Sequence, residues 1–194
     1  FQCPSDPSSS VSYQGLYDEA TGLVVTTRQA AQASYGVMTS YVDPSFTPAQ
    51  VKSGWSFYSG PLNFASLVDG TSNTMANYEL AGWPKLYKGK KPADLSQSVF
   101  YWFGDLWTKG GYLGTWVGWN GWDISSWSYD GTTQNGPCVI NCTNDYGGMF
   151  SFHTGGIHAS FFDGSVRFLS ENIDKSIVRA VIGRDEGTVL SGDF

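Results

Sequence analysis

The sequence predicts an α+β domain built mainly from antiparallel strands, with one packed helix near the C-terminus. Three observations predict it. Asp163-Gly164 stands between two β-rich runs, 157–162 and 165–169; an Asp-Gly pair so flanked is a strong hairpin signal, because both central positions of a type I′ turn need positive φ. Ile177, Val178, Val181 and Ile182 recur at helical spacing behind Asp174, whose side chain suits an N-cap. The composition is rich in turns and rings, with 24 Gly and 16% aromatic residues but only 14% charged ones, against about 25% in an average soluble domain. At 194 residues, 41% of them hydrophobic, a single domain over 1–194 with its own core is expected.

From the N-terminus, residues 1–15 are rich in Pro and Ser and read as an opening loop, with short strands expected at 11–13 and 23–27. Residues 29–41 are ambiguous: their Ala-rich start favours helix, while 34–41 alternate as a strand does. Pro44 and Pro48 mark a loop. Residues 63–80 break sharply at Asp69-Gly70, after which Thr74, Met75 and Tyr78 are expected in a strand or short helix leading to Glu79. The Lys-rich stretch 84–92 reads as a loop, and the aromatic stretch 98–107 as a buried strand. Residues 110–131 carry Trp116, Trp119, Trp122 and Trp127 among Gly and Ser and read as loops or short strands around a surface depression. Past the helix, Gly183 fits a left-handed C-terminal position, and 188–190 are expected to form a last edge strand.

The net charge is −6 and the pI about 4.7. A nucleic-acid reader needs a cationic face that displaces counterions from phosphates, so nucleic acid is excluded as an expected partner, and anionic membrane surfaces are poor ones. The dense cluster Lys85, Lys88, Lys90 and Lys91 reads as a solvated loop. No apolar run reaches the roughly 18 residues that a membrane span needs. The first residue is Phe and no signal peptide is present, so a processed product or part of a longer chain is expected. Cys3, Cys138 and Cys142 leave one thiol over. Cys138 and Cys142 are close enough for a small disulfide loop if the backbone turns back. Pairing of Cys3 with either, or with a segment outside this chain, stays open. A zinc site is the weaker alternative, because Cys-x3-Cys lacks a second ligand pair. Export would permit disulfides.

His153 and His158 are the only histidines. A serine hydrolase needs Ser, His and a carboxylate around an oxyanion hole, and no Gly-x-Ser-x-Gly elbow occurs; no catalytic residue is expected, and His153 is expected to tie a loop to the hairpin. Glu79, Asp105, Asp123 and Asp130 are the carboxylates that a glycosidase pair would draw on. The Asp residues beside Gly and Asn leave calcium open as a cofactor, without EF-hand spacing. Trp116, Trp119, Trp122 and Trp127 either stack on sugar rings or fill a core poor in aliphatic residues. Asn141-Cys142-Thr143 matches a glycosylation sequon, which matters only in a host with that machinery.

Several segments together resemble one family. His153 is followed by nine residues and then Asp163-Gly164, within a string running from Ser151-Phe152-His153-Thr154-Gly155-Gly156 to Asp163-Gly164-Ser165-Val166-Arg167-Phe168-Leu169. Cys3-Pro4-Ser5-Asp6 opens the chain, Asp69-Gly70-Thr71-Ser72-Asn73-Thr74 followed by Glu79 lies at its centre, and Gly136-Pro137-Cys138 leads to Asn141-Cys142-Thr143. In this order they resemble the bacterial prepilin-like family, abundant in planctomycetes, with the C-terminal signature H-X9-DG. The resemblance implies a pilin-like globular head, exported to the cell surface. It also implies a leader and a hydrophobic polymerising helix ahead of the head, both absent from this sequence; the helix would be the only link to a membrane. Residues 187–194 look like the family's natural C-terminus. No settled activity comes with the family, so the carried-over residues are structural: His153, Asp163 and Gly164 to pin the final hairpin, Asp69, Gly70 and Glu79 to organise the central turn, and Cys3 and Asp6 to fix the opening loop, with Cys138 and Cys142 beside them.

Three functions compete. A structural or adhesive filament subunit, partnered by copies of itself or related pilin-like subunits, predicts an apolar strip where the helix packs. A polysaccharide-binding surface module predicts an exposed Trp/Tyr row. A hydrolase needs convergent carboxylates or a Ser–His pair in one cleft.

Overall fold

The computed structural model describes residues 2–7, 11–18, 23–31, 33–54, 63–83, 85–99, 121–187 and 190, with 11–18, 23–31 and 121–122 as backbone only. Two long strands open the chain, β1 (Val11–Asp18) and β2 (Leu23–Ala31), paired antiparallel as a separate two-stranded sheet. The main sheet is built from β3 (Tyr35–Val42), β4 (Gln50–Lys52), β5 (Met75–Glu79), β8 (Gly121–Ser125), β9 (Gly156–Phe161) and β10 (Val166–Ser170). Its order is β10-β9-β5-β3-β4, all antiparallel, with β8 joining β3 in parallel. A small hairpin of β6 (Leu86–Lys88) and β7 (Lys91–Ala93) stands apart. One α-helix is present among the described residues, α1 (Lys175–Ile182), against β3 and β4. The fold is α+β, mainly antiparallel, with a C-terminal helix.

Alternation builds the core. Ile157, Ala159 and Phe161 of β9 and Leu169 of β10 point to one face and are buried, together with Met75 and Tyr78 of β5, Met38 and Tyr41 of β3, and Ile124 of β8. Helix α1 closes this face with Val178, Val181 and Ile182, all fully buried; burying each such side chain is worth about 1.5–3 kcal/mol. Asp174 caps the helix by accepting the Ser176 N–H at 2.7 Å, so the helix begins where the sequence places it.

The ambiguous stretch resolves to strand: the Ala-rich start ends β2, where pairing with β1 outweighs its helix propensity, and β3 starts at Tyr35, paired with β5 and β8. The Lys-rich stretch is a hairpin rather than a plain loop. Its turn, Gly89-Lys90, takes positive φ at both positions (53° and 62°), the geometry expected instead at Asp163-Gly164. There the loop has three residues, Phe162–Gly164, closed by Gly164 N–H to Phe161 O (3.0 Å) with only Gly164 at positive φ, 86°. Gly183 has φ −58°, not a left-handed value. A Cβ there would meet Glu186 Cγ at 2.6 Å, so a larger residue would have to displace the Glu186 side chain. Residues 98–99 form a turn, residues 100–107 and 188–189 lie outside the described residues, and Leu190 is not in a strand.

Candidate functional site

Cys3-Pro4-Ser5-Asp6 forms a turn closed by Asp6 N–H to Cys3 O at 2.9 Å. The buried Asp6 carboxylate accepts Ser34 Oγ–H (2.8 Å) and Gly82 N–H (3.1 Å), which plants Cys3 beside the end of β5. There Glu79 is 1% exposed. Past the last β5–β9 pair, Tyr78↔Ala159, the His158 N–H meets Glu79 Oε2 at 2.8 Å. That bond aims Oε1 at His153 Nε2 (3.1 Å) and Cys3 Sγ (3.6 Å). Cys3 Sγ lies 3.4 Å from His153 Nε2 and 3.0 Å from Ser5 Oγ, and Ser5 Oγ lies 3.4 Å from the same nitrogen.

The cluster sits in a cleft of about 620 Å³ whose wall includes Tyr35, Asn77, His158, Ser160 and Val166. Burial first, then the nearby Cys3 and Glu79, push the Tyr35 phenol up. Ser5, His153 and Glu79 do not form a hydrolase triad. Serine and carboxylate face the same ring nitrogen, whereas a triad needs them on opposite nitrogens. Of the other candidate carboxylates, the described ones, Asp123 and Asp130, are engaged elsewhere. Asp123 accepts the hydroxyls of Thr39 and Ser40 at 2.6 Å each, Asp130 lies in an exposed turn closed by Thr132 N–H (3.1 Å), and Asp105 lies outside the described residues.

The two Asp-Gly motifs are cross-tied. Phe162 and Asp163 donate their N–H groups to Thr74 O and Thr71 O, each at 3.1 Å, and Arg167 reaches Ser72 O at 2.8 Å. Asp163 itself is exposed, and the hydroxyl and N–H of Ser165 hold its carboxyl below the usual range. Asp69 is buried and reaches elsewhere. Its carboxylate accepts Glu186 N–H (2.9 Å) and Gly187 N–H (2.7 Å), and its N–H donates to Arg184 O (3.1 Å), clamping the chain that leaves α1. Gly70, at φ 93°, turns the chain back so that Thr74 Oγ1 reaches Gly70 O at 3.0 Å. Glu79 therefore lies with Cys3 as well as ending β5, and the His153 ring faces Cys3 and Glu79 while packing edge-on against His158 of β9, the first strand of the hairpin.

Of the pairings left open by the sequence, Cys138–Cys142 is the disulfide and Cys3 is a buried free thiol. Of the two readings open for Trp127, sugar stacking or core filling, the structure bears out the second: the residue is 1% exposed and packs on that disulfide. Its backbone exchanges hydrogen bonds with Cys138 at 2.6 and 2.8 Å, which folds the loop over the ring. Trp116 and Trp119 lie outside the described residues, and the Trp122 side chain with them. Asn141 of the sequon is 6% exposed, and its amide is held by Ser151 N–H, Gly156 O and Glu171. Two of the clustered lysines are paired, Lys88 with the buried Asp145 (3.8 Å) and Lys90 with Glu171 (2.7 Å).

Two anchors escaped the sequence reading. Asn144 is fully buried and bonds Tyr87 N–H, Lys85 O and Ala81 O. Asp43 is fully buried and accepts Lys175 Nζ, Ser126 Oγ and Ser45. Turn propensity around Pro44 was the only local hint of the second.

A family profile described as "Protein of unknown function (DUF1559)" matches residues 1–176. No curated protein and no solved structure matches the chain.

Proposed function

The chain belongs to the DUF1559 family, and we propose that it is the exported, pilin-like head of a type IV pilin-like or pseudopilin-like surface filament, structural or adhesive in role. The spacing from His153 to Asp163-Gly164, of the H-X9-DG type abundant in planctomycete prepilin-like proteins, supports this reading. The observation that carries it is the open face of the main sheet. Val166 and Phe168 of β10 are 66% and 45% exposed, and Tyr35 of β3 is 40% exposed. Register puts them on one face: Phe168 opposite His158, Val166 opposite Ser160, Ser160 opposite Asn77, and Tyr35 opposite Glu79. The other face is the core. Antiparallel sheets tolerate one solvated face, but that face is normally polar. Val166 and Phe168 make an apolar edge on β10, with His158, Ser160, Asn77 and Glu79 between them and Tyr35 of β3; exposed apolar side chains at a sheet edge support docking there.

In this reading an apolar helix of the pilin type packs on the face. Cys3, Pro4 and Ser5 lie at the rim of the same cleft, so the opening loop already runs beside it. The test is negative-stain imaging of the full-length protein with its helix. Ordered filaments are expected from the natural sequence and dispersed particles from a Val166→Lys, Phe168→Glu variant. Circular dichroism of the head should be unchanged in that variant, since both positions are solvent-exposed. Absence of filaments from the full-length protein, or filaments indifferent to these substitutions, overturns the proposal.

A further inference from the structure

We propose that Cys3, Glu79 and His153 form a binding site for one zinc-class divalent transition metal, with a fourth position open to the cleft. Three donors of different chemistry, a thiol sulfur, a carboxylate oxygen and an imidazole nitrogen, all lie within 4.8 Å of one another. Their separations are 3.4 Å for S···N, 3.6 Å for S···O and 3.1 Å for N···O. Zinc bonds of about 2.3 Å to sulfur and about 2.0–2.1 Å to nitrogen and oxygen, set at the tetrahedral angle, give edges of about 3.5, 3.5 and 3.3 Å. The three atoms thus already lie at three corners of a tetrahedron of the right size.

In the metal-free protein the donors are held by hydrogen bonds, including Cys3 S–H to Glu79 Oε1 at 3.6 Å. His153 Nε2 carries at most one proton, yet it faces Glu79 Oε1, Cys3 Sγ and Ser5 Oγ at 3.1, 3.4 and 3.4 Å. A single N–H satisfies one of these, and the Cys3 thiol and Ser5 hydroxyl supply the remaining protons. A cation at the common centre satisfies them together, and binding releases the thiol proton. The orientation is supported from behind, since the His158 N–H holds Glu79 Oε2 at 2.8 Å and leaves Oε1 for the metal. A thiolate with imidazole and carboxylate selects zinc and its neighbours over magnesium or calcium.

Cys3 and Glu79 are 2% and 1% exposed, while the His153 side chain is 31% exposed and opens to the cleft. Ser5 Oγ, 3.0 Å from the sulfur, borders the fourth corner. Water or a small donor entering the cleft completes the shell, the arrangement of sites that keep an exchangeable position. The metal would join the opening loop, the end of β5 and the segment before β9, which are 76 and 74 residues apart along the chain. This inference concerns the head alone, in which the cleft is open, and does not depend on filament assembly.

The test uses the 194-residue chain, freed of metal by a chelator and titrated with Co²⁺. One equivalent should bind, with the near-ultraviolet charge-transfer band of a cobalt–thiolate bond, and Zn²⁺ should displace it. Cys3→Ser should abolish the band, and His153→Ala should weaken binding by about tenfold or more. Alkylation of Cys3 in the wild-type protein needs no variant to fold: Zn²⁺ should block it and chelator restore it. Absence of the band, its persistence in Cys3→Ser, or alkylation indifferent to Zn²⁺ overturns the proposal.

Discussion

Asp69→Ala tests whether a motif aspartate holds the end of the chain. The carboxylate is 3% exposed and accepts two backbone N–H groups at 2.9 and 2.7 Å, from Glu186 and Gly187. A hydrogen bond to a charged group is worth about 1.5–3 kcal/mol. Gly187 is exposed and Glu186 half-buried, so water recovers part of the loss when the carboxylate is removed. The expected cost is about 2–4 kcal/mol. Asp163→Ala is the internal comparison, because it removes the same residue type from the same Asp-Gly context. Asp163 is exposed and bonds only Ser165 through its side chain, so its loss should cost about 0.5–1 kcal/mol. Urea titration followed by Trp fluorescence reads both, as a midpoint shift at unchanged slope. Equal midpoints for the two variants would refute the reasoning, because burial and the two backbone donors would then carry no weight.

Asp43 gives an acid limb. Burial alone would raise its carboxyl, but the hydrogen bonds from Lys175, Ser45 and Ser126 outweigh that and hold it well below the usual range. A depressed folded-state value gives stability that is full above the unfolded value, about 4, and is lost as pH falls through the folded one. Melting temperature should therefore drop below about pH 4, and Asp43→Asn should start lower and fall less steeply; parallel curves would contradict this. Gly82→Ala should cost about 1–3 kcal/mol by denaturant titration, since φ is 93° and the new Cβ meets Tyr87 ring carbons at 2.9 Å. Gly164→Ala, at φ 86° with nothing within 4 Å, should cost only about 1 kcal/mol. Replacing Cys138 and Cys142 together by Ser should lower stability by about 2 kcal/mol, because the bond closes a short loop across a separation of four; thiol counting before the change should find only Cys3.

The hairpin and helix at the C-terminus were legible because their signals are local. Asp174 and the stripe Val178, Val181, Ile182 need only helical periodicity, and Ile157–Leu169 needs only alternation about a turn. The hairpin's loop type was not legible, since a tertiary tie from Phe162 and Asp163 to Thr74 and Thr71 sets its backbone. The Lys-rich stretch concealed a hairpin because the partners of two of its lysines, Asp145 for Lys88 and Glu171 for Lys90, lie far along the chain. The cluster was half visible. Cys3, Glu79 and His153 each stood out, but as pins of three separate turns. Their meeting depends on the β5–β9 register and on Asp6 anchoring the opening loop to Ser34 and Gly82. For Trp127 the sequence left sugar stacking and core filling open, and the packing of its ring on the disulfide decides for the core.

The most direct test of the surface role is hydroxyl-radical footprinting of the full-length protein in its assembled form, compared with the head alone. Tyr35 and Phe168 on the open sheet face should lose most of their reactivity on assembly, while Tyr129, 71% exposed in a separate loop, should keep its own. Equal labelling of all three rings in both states would contradict the claim that this face is where the protein is held.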